Sequence, residues 1–165
     1  MITYNRLQEV LDYNAGTGVF VWKKIPHESA SNISVGDTAG YVENSGYRRI
    51  WIDGKRYVAQ RLAWLYVYRS LPPGALDHID CNKDNNSIGN LRPATLAQNR
   101  MNTRTAKNNH LRIKGVQLHG TGRYRARIYY RQKHVSLGLY DTPEEAQAAY
   151  AKAANELFGP YARSA

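Results

Sequence analysis

Cysteine is nearly absent: Cys81 is the only one in 165 residues. No disulfide can form within the chain and no multi-cysteine zinc site can be built, so a reducing compartment is expected. No apolar run approaches the length of a membrane span, and the segment Met1-Ile2-Thr3-Tyr4-Asn5-Arg6 lacks a secretory apolar region. The expectation is a soluble, cytoplasmic protein with no membrane partner. Phenylalanine is also scarce, with 2 Phe against 13 Tyr and 3 Trp. Tyrosine carries a polar tip on a partly buried ring, which suits small modules with large exposed faces. Most telling is a missing charge: no Asp or Glu occurs from Asn85 to Tyr140, where eleven Lys or Arg stand, and the whole chain carries +10. A merely soluble surface intersperses both signs, so this imbalance points to a polyanionic partner.

The chain is long enough for one ordinary domain or two to three small modules. Thr3 can cap a short helix through Leu11, with Leu7, Val10 and Leu11 on one side. A turn at residues 14–18 precedes a strand at Val19-Phe20-Val21-Trp22, and residues 24–37 read as a loop. Asp53-Gly54 between Tyr47–Ile52 and Lys55–Val58 is a hairpin signal. Residues 59–68 then turn helical, with Leu62, Leu65 and Tyr66 on one face, before Leu71-Pro72-Pro73-Gly74. Thr95 can cap a short helix through Met101, and residues 103–112 read as a linker.

The last fifty residues read as a separate unit. Strands are expected at residues 114–118, 123–131 and 134–140, followed by a helix opened by Thr142-Pro143-Glu144-Glu145 and ended by Gly159-Pro160. Side chains alternate across a strand. Tyr124, Ala126, Ile128 and Tyr130 therefore face the helix, joined by Val135, Leu137 and Leu139. Arg123, Arg125, Arg127, Tyr129 and Arg131 face away, with His134, Ser136 and Tyr140. Guanidiniums spaced every second residue can fork onto guanine edges or phosphates in a major groove. Gly115-Val116, Arg123–Ile128, Leu137–Ala146 and Ala149-Tyr150 through Phe158-Gly159 resemble the AP2/ERF DNA-binding domain over roughly residues 112–162. The resemblance implies a sheet that enters the major groove. Tyr129 and arginines replace the tryptophans of that reading face.

Between Asp77 and Asn99 stands Asp-His, followed by Asn90 and Asn99, in a stretch rich in turn formers. A phosphodiesterase can be assembled from few such parts. A hard cation on oxygen ligands neutralises the phosphate and leaving oxygen, and a base deprotonates water. Asp77 offers an anionic ligand and Asn99 a neutral one, sufficient for Mg²⁺, which keeps several waters. His78 is the nearby side chain with a proton affinity suited to a general base. Asp80 and Asp84 read as turn residues, Cys81 as a small loop residue. Adjacent strand residues point to opposite sides, so Asp77 and His78 converge only if the strand ends there or substrate lies between them.

Asp77-His78-Ile79-Asp80, Asn85-Asn86, Asn90-Leu91-Arg92 and Gln98-Asn99 resemble the HNH endonuclease motif in its His-Asn-Asn variant, known from phage homing endonucleases; the likeness extends over roughly residues 40–102. The resemblance implies a ββα-metal fold, His78 as general base, Asn90 fixing the geometry around it, and Asp77 and Asn99 holding Mg²⁺ or Mn²⁺. It also implies hydrolysis leaving 5′-phosphate and 3′-hydroxyl ends, and host-cell cytoplasm for a phage-encoded chain.

The expected class is α+β: a β-rich region at residues 1–58, a ββα-metal nuclease domain at 59–105, and a three-stranded antiparallel sheet packed on one helix at 112–165. The expected partner is double-stranded DNA, with no obligate protein partner. Arg48, Arg49, Lys55 and Arg56 on the first hairpin, and Lys114, Arg123, Arg125, Arg127, Tyr129, Arg131 and Lys133 on the last sheet, are the candidate DNA contacts. The competing reading is a non-catalytic, sequence-specific DNA-binding regulator on a degenerate nuclease fold.

Overall fold

A computed structural model describes residues 1–25, 33–103, 105 and 109–162. The expected loop at 24–37 and linker at 103–112 therefore lie partly outside the described residues. Contacts divide the chain into two units, Met1–Thr95 and Leu96–Ala165. Both mix helices with small antiparallel sheets, in keeping with an α+β class.

The first unit begins with α1 (Tyr4–Val10), where Thr3 Oγ1 accepts from the Arg6 N–H at 3.2 Å, as its N-cap position predicts. The helix stops one residue short of expectation because Leu11 opens β1 (Leu11–Tyr13), which pairs with β2 (Phe20–Trp22). Sequence reading missed β1: three residues carry too little periodicity to separate from a helix end. A three-stranded sheet follows, β3 (Tyr41–Val42), β4 (Arg48–Ile52) and β5 (Lys55–Val58), with Asp53 at φ 50° and Gly54 at φ 72° making the hairpin turn. α2 (Ala59–Tyr68) ends before the prolines, through Arg69 in the left-handed region with its N–H bonded to the Leu65 carbonyl. β6 (Ala75–His78) and β7 (Leu91–Ala94) then form a two-stranded ribbon.

One apolar cluster joins these elements: Leu7, Val10, Leu11, Phe20, Ile50, Ile52, Leu62 and Leu91 among them. The boundary expected between residues 58 and 59 thus falls inside a shared core. Burial of that core, at about 25 cal/mol per Å² of apolar surface, is what fastens the polar ribbon to the rest of the unit.

The second unit contains α3 (Leu96–Met101), a sheet of order β10-β9-β8 (β8 Val116–Leu118, β9 Tyr124–Tyr130, β10 Lys133–Tyr140) and α4 (Pro143–Phe158). Thr142 is the N-cap of α4 and, with Glu145, forms a full capping box. Ala126 and Ile128 of β9 are buried, with Ala146, Tyr150 and Ala154 of α4, as the pleat predicts.

Two expectations about β10 and its turn are corrected. A register shift between Ser136 and Gly138 inserts one extra residue opposite β9. Beyond it, Leu139 pairs with Arg125 and is 37% exposed, while Tyr140 pairs with Tyr124 and packs in the core. Side-chain direction has period two, so a one-residue bulge exchanges the faces of everything after it. The hairpin turn is Arg131-Gln132, both at positive φ, rather than Gln132-Lys133. Arg131 therefore leaves the arginine row and lies over the Tyr130 ring, 5.2 Å from its centroid.

Candidate active site

β6 and β7 are joined by a loop held by its own polar side chains. Strand β6 ends at His78, and the Cys81 N–H closes a turn back to the His78 carbonyl at 2.9 Å. Asn90, at the far end of the loop, bonds across it three ways. Its Oδ1 accepts from the Asp80 N–H at 3.0 Å, and its Nδ2 donates to Asp80 Oδ1 at 2.9 Å and to the Asn85 carbonyl at 2.8 Å. Asn90 therefore sets the distance between the two ends of the loop. Asp80 is slightly desolvated, which raises its pKa. Hydrogen bonds from Asn85, the Asn82 N–H and Asn90 outweigh that effect and hold the carboxyl below the ordinary aspartate range.

His78 is 4% exposed, and its Nε2 lies 3.4 Å from Asn86 Oδ1. The Asn86 amide is oriented by its own Nδ2, which donates to the Asp84 carbonyl at 2.9 Å. Burial pushes the imidazole below its ordinary value, and Lys83 adds to that; Asn86, Asp80 and Asp77 act against it. The ring is therefore predominantly neutral near pH 7, the form that accepts a proton. Asp77, 5% exposed, pairs in register with Arg92, whose Nε and Nη2 reach Asp77 Oδ2 at 2.8 and 2.7 Å. Two bonds from one guanidinium fix the direction of that carboxylate.

The rest of the first unit braces this loop. Tyr13, 73 residues away in sequence, donates its hydroxyl to the Asn86 carbonyl at 2.8 Å, and burial pushes its phenol up to about 12, which keeps it a donor. Gly18, at φ 76°, lies so close that a Cβ would overlap the backbone of Asn86 and Ser87. Arg48 grips Asp84 with two bonds of 2.8 and 3.0 Å, and Tyr47 packs its ring 6.0 Å from that of His78. The bracing contacts of these residues were not legible in sequence, because each acts across tertiary distance. Asn86 was legible only as part of a motif, with no role attached.

Asn99, the other expected ligand, is on α3, which belongs to the second unit. Among the described residues, no group of three or more His, Cys, Asp or Glu could hold a metal. The Asp77 carboxylate and the amide oxygens of this segment are hard donors of the kind that Mg²⁺ takes.

The candidate DNA contacts divide. Arg48 is engaged with Asp84, Arg49 with Glu43 at 3.0 Å, and Arg123 with Asp141 at 2.8 Å. Lys114 Nζ donates to the Met101 and Thr103 carbonyls at 2.6 and 2.8 Å, an internal tether where a phosphate contact was expected. Arg125 and Arg127 stay on the face of β9 opposite α4, and Lys133 is exposed. Arg127, Gln117, Tyr129 and His134 line a groove of about 300 Å³, with Tyr129 and His134 ring to ring at 5.0 Å.

Residues 57–101 match the HNH endonuclease family model. An uncharacterized HNH endonuclease of Acanthamoeba polyphaga mimivirus is 34% identical over 125 residues, or 74% of this chain. The chain spans 64% of that relative's length. No solved structure matches the chain.

Proposed function

We propose that this chain is an HNH-type, metal-dependent DNA endonuclease of the homing kind, hydrolysing phosphodiester bonds. The observation that carries the reading is a buried imidazole, His78, at the end of β6, next to the Arg92-paired Asp77 and leading into a loop stapled by Asn90. It lies within the segment that matches the HNH endonuclease family model.

His78 is the general base. Asn86 Oδ1 can only accept, so it favours the tautomer with the proton on Nε2. Water oxygen bonds to phosphorus as the phosphorus–O3′ bond breaks, leaving 5′-phosphate and 3′-hydroxyl ends. Asp77 and Asn99 would hold Mg²⁺ or Mn²⁺, which neutralises charge on the phosphate and the leaving oxygen when bound. Arg92 keeps the Asp77 carboxylate aimed. Burial around His78 limits the water that competes for its lone pair.

Duplex targeting is assigned to the second unit, in the manner of an AP2-like sheet, through Arg125, Arg127, Tyr129 and Lys133. Arg125 and Arg127 carry the contact, since no acid pairs with either among the described residues. Replacing both by Ala is expected to lower the slope of log affinity against log salt by about 2. An unchanged slope removes the targeting role.

Incubating supercoiled plasmid with Mg²⁺, with EDTA and with His78→Ala tests the catalytic reading. Cleavage is expected with Mg²⁺ only, and His78→Ala is expected to slow it by about 10² to 10⁴. Plasmid that stays supercoiled with wild-type protein across metals and sequences would instead favour a DNA-binding regulator on a degenerate nuclease fold.

A further inference from the structure

We infer that Lys83 holds a phosphate oxygen of the strand being cut, making it an anion-binding residue of the site; this rests on the nuclease reading above. Its ammonium lies 4.7 Å from the Tyr47 ring centroid and donates to the Ser45 carbonyl at 2.9 Å. The same Tyr47 ring packs 6.0 Å from the imidazole of His78, tilted by 50°. One aromatic ring thus neighbours both a cation and the imidazole assigned as base.

The way Lys83 is held argues for a ligand. The arginines around it each have a carboxylate: Arg48 with Asp84, Arg49 with Glu43, Arg92 with Asp77. Lys83 has no acidic partner among the described residues and is exposed. An ammonium has three N–H donors, and a single carbonyl takes one. A lysine pinned by a carbonyl and a π-face has given up rotamer freedom before any ligand arrives, so it binds an anion at lower entropic cost. Because the ammonium is exposed, the anion approaches from solvent, and a backbone phosphate of the substrate strand has the matching charge. Lysine suits this as a compact point charge that needs no planar partner.

A structural tether would use the same contacts, so the test must separate charge from folding. The full chain is titrated with a short DNA duplex across a salt series in EDTA, which blocks cleavage, comparing wild type, Lys83→Gln and Lys83→Arg. The expected result is an affinity loss of roughly threefold to tenfold for Lys83→Gln, with the salt slope reduced by about 0.9, and recovery of the slope in Lys83→Arg. Equal slopes for wild type and Lys83→Gln overturn the inference, even if the variant melts earlier, because a tether alters stability without altering counterion release. Wild-type protein with no salt-dependent binding would overturn the nuclease reading itself and this inference with it, a result distinct from the first.

Discussion

The loop from Ile79 to Asn90 and the sheet–helix of residues 113–158 are built by opposite means. The loop contains almost no buried apolar side chain, and its shape comes from amide and carboxylate bonds among Asp80, Asn82, Asn85, Asn86 and Asn90. The sheet–helix is a patterned core of Val116, Ala126, Ile128, Ala146, Tyr150 and Ala154, opened by a capping box. Charge is used differently too. Around the loop, Arg48 and Arg92 set the position of backbone and carboxylate, whereas Arg125 and Arg127 are carried on a face supported from behind. A catalytic loop must hold donors and acceptors to a fraction of an ångström, which directional bonds accomplish. A binding face needs only a rigid platform, which apolar packing supplies more simply.

The largest effects should come from two glycines, one for each region. Gly18→Ala would drive a Cβ into the backbone of Asn86 and Ser87 at a positive φ, and Gly115→Ala would drive one into the Tyr150 ring. Each is expected to cost about 3 kcal/mol. Hydrogen exchange should localise the first loss to residues 1–95 and the second to residues 96–162. If Gly115→Ala lowers protection in both regions equally, the two cannot be treated as separate constructions.

Asn90→Ala removes three hydrogen bonds from the loop and is expected to cost about 2 kcal/mol, with a larger loss of cleavage than stability alone accounts for. The comparison is thermal unfolding against plasmid cleavage below the melting range. Proportional losses would mean that Asn90 supports folding and does not tune geometry. The smallest effect is on the patterned side. Thr142→Ala breaks one half of the capping box and should cost about 1 kcal/mol in unfolding, without changing cleavage of plasmid. A cleavage defect there would tie the sheet–helix to the chemistry.

These expectations track what local sequence can carry. The helix starting at Thr142-Pro143, the Asp53-Gly54 hairpin and the pleat of β9 were all readable, because a cap, a turn type and a period-two pattern are properties of neighbours in the chain. The bulge in β10 was not, since nothing between Ser136 and Gly138 announces which strand will take the extra residue; that depends on its pairing with β9. The reassignment of Lys114 and Arg131 has the same origin.

By itself the sequence determined the chemistry available to the site: a histidine beside an aspartate, a loop rich in amides, and a long basic stretch without acids. Tertiary structure alone decided how that chemistry is held. Tyr13 reaches Asn86 across 73 residues, Arg48 reaches Asp84 across 36, and Tyr47 comes to stand between Lys83 and His78. Those contacts exist because a shared apolar core brings the amino-terminal hairpins against the β6–β7 ribbon. Hydrophobic burial is non-directional and cumulative, so no single residue of that core could have foretold which polar partners it would bring together.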